Sequence, residues 1–145
     1  MKKYADGKIK NKSLCQQHDF SNLVFELKQT TISPTDIDGF KEYQGKFGYI
    51  LESKWGNNDI NTAQDYAFTN MAKAMNKGGY NGGFYVIVAN HNTAPSDDID
   101  AGNEIVRKVY IYDIIENKGE WKSLQHKNLS VRKVVTKLMK LHNIA

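Results

Sequence analysis

Among 145 residues there is one cysteine, Cys15, and there are only two prolines and two tryptophans. A lone cysteine excludes an internal disulfide. With four scattered histidines beside it, no ligand pair for zinc emerges. Long apolar runs are missing too, and no stretch approaches the ~20 residues needed to cross a membrane. The basic start, residues 1–8, has no apolar region of the kind a signal peptide needs. These absences predict a cytoplasmic protein. There is no P-loop, no Gly-x-Ser-x-Gly elbow and no dinucleotide fingerprint. Asp97, Asp98 and Asp100 lack the glycine and terminal-glutamate spacing of a calcium loop.

What is present describes a globular chain. Hydrophobic residues make up 40% and charged residues 25%, which excludes global disorder. The length suits one domain over residues 1–145, with a loose N-terminal segment at 1–16. The net charge is +4, which disfavours a DNA mimic and favours polyanions. Its layout is uneven. Lysines crowd residues 1–12, and basic residues including Arg132 and Lys133 crowd 118–140. Acids gather at 36–38, 52, 59, 65 and 97–104. A basic surround with a carboxylate-rich centre suits phosphate attraction combined with a divalent metal.

Periodicity orders the elements. Phe20, Leu23, Val24 and Leu27 predict a helix over 19–29, with Glu26 near the edge of its apolar face. Strands near 36–42 and 46–55 predict a hairpin turning at Gln44-Gly45. Thr62 is the expected cap of a helix to about 77. Asp65 stands at its third position, and Ala63, Ala67, Met71, Ala74 and Met75 form its apolar side. The uninterrupted apolar run at 84–89 predicts a central strand covered on both faces. A further strand at 105–113 and a helix from 131 to about 142, capped by Ser130, complete the pattern. That helix buries Val131, Val134, Val135, Leu138, Met139 and Leu141. The order α-β-β-α-β-β-α predicts an α/β domain, a mixed β-sheet flanked by helices.

The chemistry concentrates in residues 34–54. Asp36 and Asp38 sit two apart on the first strand of the hairpin, so they share a face. Glu52 and Lys54 do the same on the second. If the two faces coincide, three carboxylates and an ammonium converge, a costly cluster without a cation. Mg²⁺ suits it, with hard oxygen ligands and the remaining positions left to water and phosphate. Lys54 could orient or deprotonate a water bound there, or stabilise charge on the phosphate. Lys73 and Lys77, one turn apart, could touch phosphates. Trp55 and Tyr66 could stack on bases, although rim or core positions are the commoner fate of such residues. His91, after the apolar strand, could lie at the site mouth.

Pro34-Thr35-Asp36-Ile37-Asp38-Gly39, followed after a hairpin by Glu52-Ser53-Lys54, resembles the signature of PD-(D/E)XK nucleases, in particular small phage and prophage members. The resemblance covers roughly residues 18–91. It implies a restriction-endonuclease-like core and a metal-dependent DNA nuclease, using Mg²⁺ or Mn²⁺. It also implies specific roles. Asp38 and Glu52 would be metal ligands, with the Ser53 backbone carbonyl a further one, and Lys54 the motif lysine. Gln64 is placed like the glutamine of the RecB and lambda-exonuclease branches, although Phe68 stands where their tyrosine would be. Asp36 and Glu26 would be auxiliary acids. The family's usual strand before its second helix has only residues 55–61 to occupy.

The function expected from these readings is structure- or end-directed hydrolysis of DNA phosphodiesters, with Lys73, Lys77, Arg132 and Lys133 gripping phosphates. RNA stays open as a substrate, and junction cutting would require a homodimer. The rival is a non-catalytic nucleic-acid-binding or recombination-accessory module on the same fold.

Overall fold

The computed structural model describes residues 37–144, which lie within one compact unit, Asp36–Ala145. The expected segment 1–16, the helix at 19–29 and the residues Glu26 and Asp36 lie outside the described residues. The sheet has five strands in the order β1 (Gly39–Tyr43), β2 (Phe47–Trp55), β3 (Phe84–His91), β4 (Ile105–Asp113) and β5 (Lys118–Ser123). It is mixed: β2 and β3 run parallel, and every other neighbouring pair is antiparallel. Helix α1 (Thr62–Met75) carries the chain between the parallel strands, and α2 (Val131–Leu141) closes the order. The described residues therefore form an α/β fold.

The hairpin turn lies where Gln44-Gly45 predicts it. Both residues adopt positive φ, and the Lys46 N–H donates to the Tyr43 carbonyl at 2.9 Å. Alternation then assigns the faces of the sheet. Ile50, Phe84, Val86, Tyr110 and Tyr112 pack with Phe68 and Ala72 of α1. Phe47, Leu51, Tyr85, Ile87, Ala89 and Val109 pack with Val131, Val134, Val135 and Leu138 of α2. Being covered on both sides is why β3 reads as an unbroken apolar run, with Phe84 to Ala89 all buried.

Several sequence expectations need correction. Asn61, not Thr62, caps α1, and the third helical position is Gln64. An asparagine one residue earlier accepts from the Gln64 N–H and so takes the cap. The buried side of α1 is set by Phe68 and Ala72, with half-buried Met75, packing on the sheet, while Ala63, Ala67, Met71 and Ala74 face outward. Asp65 instead accepts from the Trp121 indole N–H at 3.1 Å. Leu141 is exposed at the frayed end of α2. The first strand begins only at Gly39, leaving Asp38 just ahead of it. Strand β5 was not expected, because a charged outer strand with a single large apolar residue, Trp121, gives little periodic signal.

The junction between α1 and β3 depends on one buried amide. After α1 the chain makes a wide helical turn, Asn76–Tyr80, and a left-handed residue, Asn81. Asn76 is fully buried. Its Nδ2 donates to the Ala72 and Phe84 carbonyls, and its Oδ1 accepts from the Gly82 and Phe84 N–H groups, all within 3.0 Å. Gly83 follows because a Cβ there would meet the Lys46 carbonyl oxygen at 2.2 Å.

Replacing Asn76 by alanine strands buried backbone groups that water cannot reach. Asn76→Ala is expected to lower stability by about 3–5 kcal/mol. Urea unfolding followed by tryptophan fluorescence measures this, and a loss below about 1 kcal/mol would show that solvent replaces the amide.

Candidate metal and phosphate site

Parallel strands end together, and the crevice beyond their carboxyl ends is where open α/β sheets bind ligands. Here the ends of β2 and β3 bring Glu52, Ser53 and Lys54 beside Val88, Ala89 and Asn90. Gly39 pairs with Leu51, so Asp38 lies just past the ladder, next to Glu52 and Ser53. Its Oδ2 accepts from the Ser53 N–H at 2.8 Å. In a strand the N–H and C=O of one residue point the same way, so the Ser53 carbonyl faces the Asp38 side as well.

Glu52 is the centre of the arrangement. It is 5% exposed on the face covered by α1. Its Oε1 accepts from Gln64 Nε2 at 3.0 Å and faces Lys54 Nζ at 3.3 Å. Among the described residues its buried Oε2 has no hydrogen-bond partner. Burial, then the charge of Asp38, raise the Glu52 pKa, while Lys54 and Gln64 oppose the rise.

Gln64 serves the helix and the site together. Its N–H donates to Asn61 Oδ1 at 2.8 Å, and its Oε1 accepts from the Asn61 N–H at 3.3 Å. This reciprocal cap commits the oxygen end of the side chain and leaves the NH₂ end for Glu52. The loop leading into the helix is tied as tightly. Asp59 takes Lys108 at 3.1 Å and Arg107 Nε at 3.3 Å, and Arg107 Nη1 donates to the Asn57 carbonyl at 3.0 Å. Burial works against the Asp59 carboxylate, but the Ile60 N–H and the two cations outweigh it and hold its pKa below the usual range.

Glu104 was not singled out by sequence. It sits 4% exposed immediately before β4, and its Oε1 accepts from the Ser53 hydroxyl. Its buried Oε2 likewise has no hydrogen-bond partner among the described residues. Burial raises its pKa; Ser53 and His91 oppose this, whereas Asp38 and Asp100 add to it. Asp38 thus stands electrostatically between two buried glutamates, one on each side of the Glu-Ser-Lys strand. A glutamate closing a polar loop looks like any surface acid. Its only sequence cue was its place directly before an apolar strand.

The structure brings Asp38, Glu52, Ser53, Lys54 and Gln64 together. It does not gather the four cations. Lys73 and Lys77 lie exposed along the later part of α1 and its following turn. Arg132 and Lys133 lie exposed on the first turn of α2, across the sheet. The α2 pair does approach the Glu104 loop, since the Val131 N–H donates to the Glu104 carbonyl at 2.9 Å and Arg132 reaches Asn103 at 3.3 Å. Tyr66 is exposed on the outer side of α1, and Trp55 is exposed at the end of β2.

Among the described residues, no three acidic, histidine or cysteine side chains cluster closely enough to hold one metal ion. Mg²⁺ asks for less, because one or two carboxylates with water and phosphate complete its shell. Asp38 and Glu52, with the unpartnered Glu52 Oε2 and the Ser53 carbonyl, supply hard oxygens of the right kind. The donor set therefore fits a divalent cation held by two carboxylates.

Both buried glutamates have raised pKa values, so stability is greater below the ordinary carboxylate range and falls as pH rises through the shifted values. Glu104→Gln keeps the acceptor for Ser53 and removes the charge. It is expected to raise the melting temperature at pH 7.5 by about 2–5 °C. The gain should shrink toward pH 4.5, where the wild-type carboxyl takes up its proton. Melting curves across that range test this, and a pH-independent difference would contradict it.

In comparisons with known proteins, no family model, no curated protein and no solved structure matches the chain.

Proposed function

We propose that this protein is a Mg²⁺- or Mn²⁺-dependent nuclease that hydrolyses DNA phosphodiesters, directed by structure or ends rather than by sequence. The observation that carries the reading is the meeting of Asp38, Glu52, Lys54 and Gln64 at the carboxyl end of the parallel strands. A hairpin bearing the acids, then a helix crossing to a parallel strand, is also compatible with the resemblance to PD-(D/E)XK nucleases noted from the sequence.

Each residue has a role in this reading. Asp38 and Glu52 would hold the cation. When bound, the cation neutralises charge on the scissile phosphate and favours a nucleophilic water. Lys54, an ammonium anchored on Glu52 Oε1 at 3.3 Å, would donate a hydrogen bond to the attacking water or offset the charge building on the phosphate. Gln64 holds Glu52 Oε1 and so leaves Oε2 for the metal. Glu104 fixes the Ser53 side chain, while Asp38 fixes the Ser53 backbone. Arg132 and Lys133, near the Glu104 loop, suit phosphates entering from that side. Lys73 and Lys77 are farther from the centre along α1 and contribute general attraction.

The test is incubation with supercoiled plasmid, linear duplex, single strands and a four-way junction, in Mg²⁺, Mn²⁺ or EDTA. Cutting is expected only with metal. Glu52→Ala and Lys54→Ala should each lower the rate by about 100-fold or more, and Gln64→Ala by roughly tenfold. Binding should weaken steeply with salt. DNA binding without cutting of any substrate would instead establish the accessory-module reading.

A further inference from the structure

We propose that the polar cavity beyond the ends of β2, β3 and β4 is a subsite for one unpaired nucleobase of a strand lying across the Glu52–Lys54 site. The proposal deepens the nuclease reading and rests on it. The cavity has a volume of about 180 Å³ and is walled by Gly56, Asn57, Asn90, Asn92, Arg107 and Gln125. That is below the ~300–1,000 Å³ of ordinary small-molecule pockets, a scale that fits a single heterocycle.

The chemistry of the wall chooses the ligand. Among the described residues the side-chain amides of Asn57, Asn92 and Gln125 have no hydrogen-bond partner. A carboxamide presents a donor and an acceptor side by side, the pattern that matches the edge of a base. A phosphate would find less here, because the one cation of the wall, Arg107, is already paired with Asp59. A base inside a duplex has its Watson–Crick edge occupied, so the vacant amides favour an unpaired one.

Trp55 is not itself a wall residue, but it precedes Gly56 in the chain and offers a ring on which a base can stack. It lies between Lys54 and the cavity residue Gly56, and it is 52% exposed, unusual for the largest apolar side chain. His91, flanked by the cavity residues Asn90 and Asn92, braces it with ring centroids 5.6 Å apart at 81°. His91 is itself oriented by the Thr93 N–H on Nδ1 at 3.2 Å. An exposed indole held by His91, next in the chain to a cavity wall of exposed amides, is a combination suited to a splayed base.

Fluorescence anisotropy in EDTA tests the proposal, with a fluorescein-labelled oligothymidine and a blunt duplex as probes. Trp55→Ala is expected to weaken single-strand binding about tenfold or more, while duplex binding changes less than about twofold. Trp55→Phe should restore most of the affinity. Asn92→Ala and Gln125→Ala should change the ranking among oligothymidine, oligocytidine and oligoadenosine. Equal losses on both probes, or no loss on the single strand, would overturn the subsite. Plasmid cutting separates the two ideas. Metal-dependent cutting that needs Glu52, with single-strand binding indifferent to Trp55, removes the subsite alone. Trp55-dependent single-strand binding without cutting removes the nuclease and keeps the subsite. No binding to either probe removes both.

Discussion

Because β2 and β3 run parallel, the chain must return along the sheet between them, and α1 makes that return. The return places the beginning of α1 at the same edge where both strands finish. Gln64 therefore meets Glu52 although twelve residues separate them, and a helix cap becomes part of a polar centre. The loop that makes the turn, residues 56–61, is held by Asp59 against Arg107 and Lys108 and by Asn90 against the Asn58 carbonyl at 2.8 Å. The centre is thus positioned by backbone topology and pinned by ion pairs on the neighbouring strand.

This edge runs against the preferences of the rest of the fold. Among the described residues, two buried glutamates each keep one oxygen without a hydrogen-bond partner, and both feel Asp38. Buried carboxylates with no compensation cost stability, and native structures seldom retain them for folding alone. Elsewhere the molecule satisfies its buried polar groups closely, as the four hydrogen bonds of Asn76 show. The contrast locates unmet electrostatic demand at one end of one strand pair, the usual compromise at a working site.

Much of this was legible in the sequence. The hairpin, the central strand and α2 followed from alternation, from the Gln44-Gly45 turn and from the apolar stripe of Val131, Val134, Val135 and Leu138. Glu52 and Lys54 were legible as a pair because alternation along a strand puts them on one face, and the hairpin brought Asp38 to them; Gln64 was suggested only by the resemblance, since no local pattern ties a helix cap to a strand carboxylate. What was missed depended on long-range contacts. Glu104 joins the centre only through the pairing of β3 with β4. The true cap of α1 depended on a competition between Asn61 and Thr62, adjacent residues that both suit the position. Strand β5 is stabilised by partners that no local pattern reveals, namely Tyr110 against Trp121, with rings 5.4 Å apart, and Lys108 over the Trp121 ring at 4.3 Å.

The composition of β5 also governs how copies of this protein meet. Among the described residues it is the outermost strand beyond β4, and Lys118, Glu120 and Lys122 alternate along it. An outer strand with open backbone groups invites sheet-to-sheet joining, and charges spaced along it make such joining unfavourable. Growth of a continuous intermolecular sheet is thereby discouraged on this side. At the concentrations reached in an expressing cell, the molecule is guarded on this side against fibrous association.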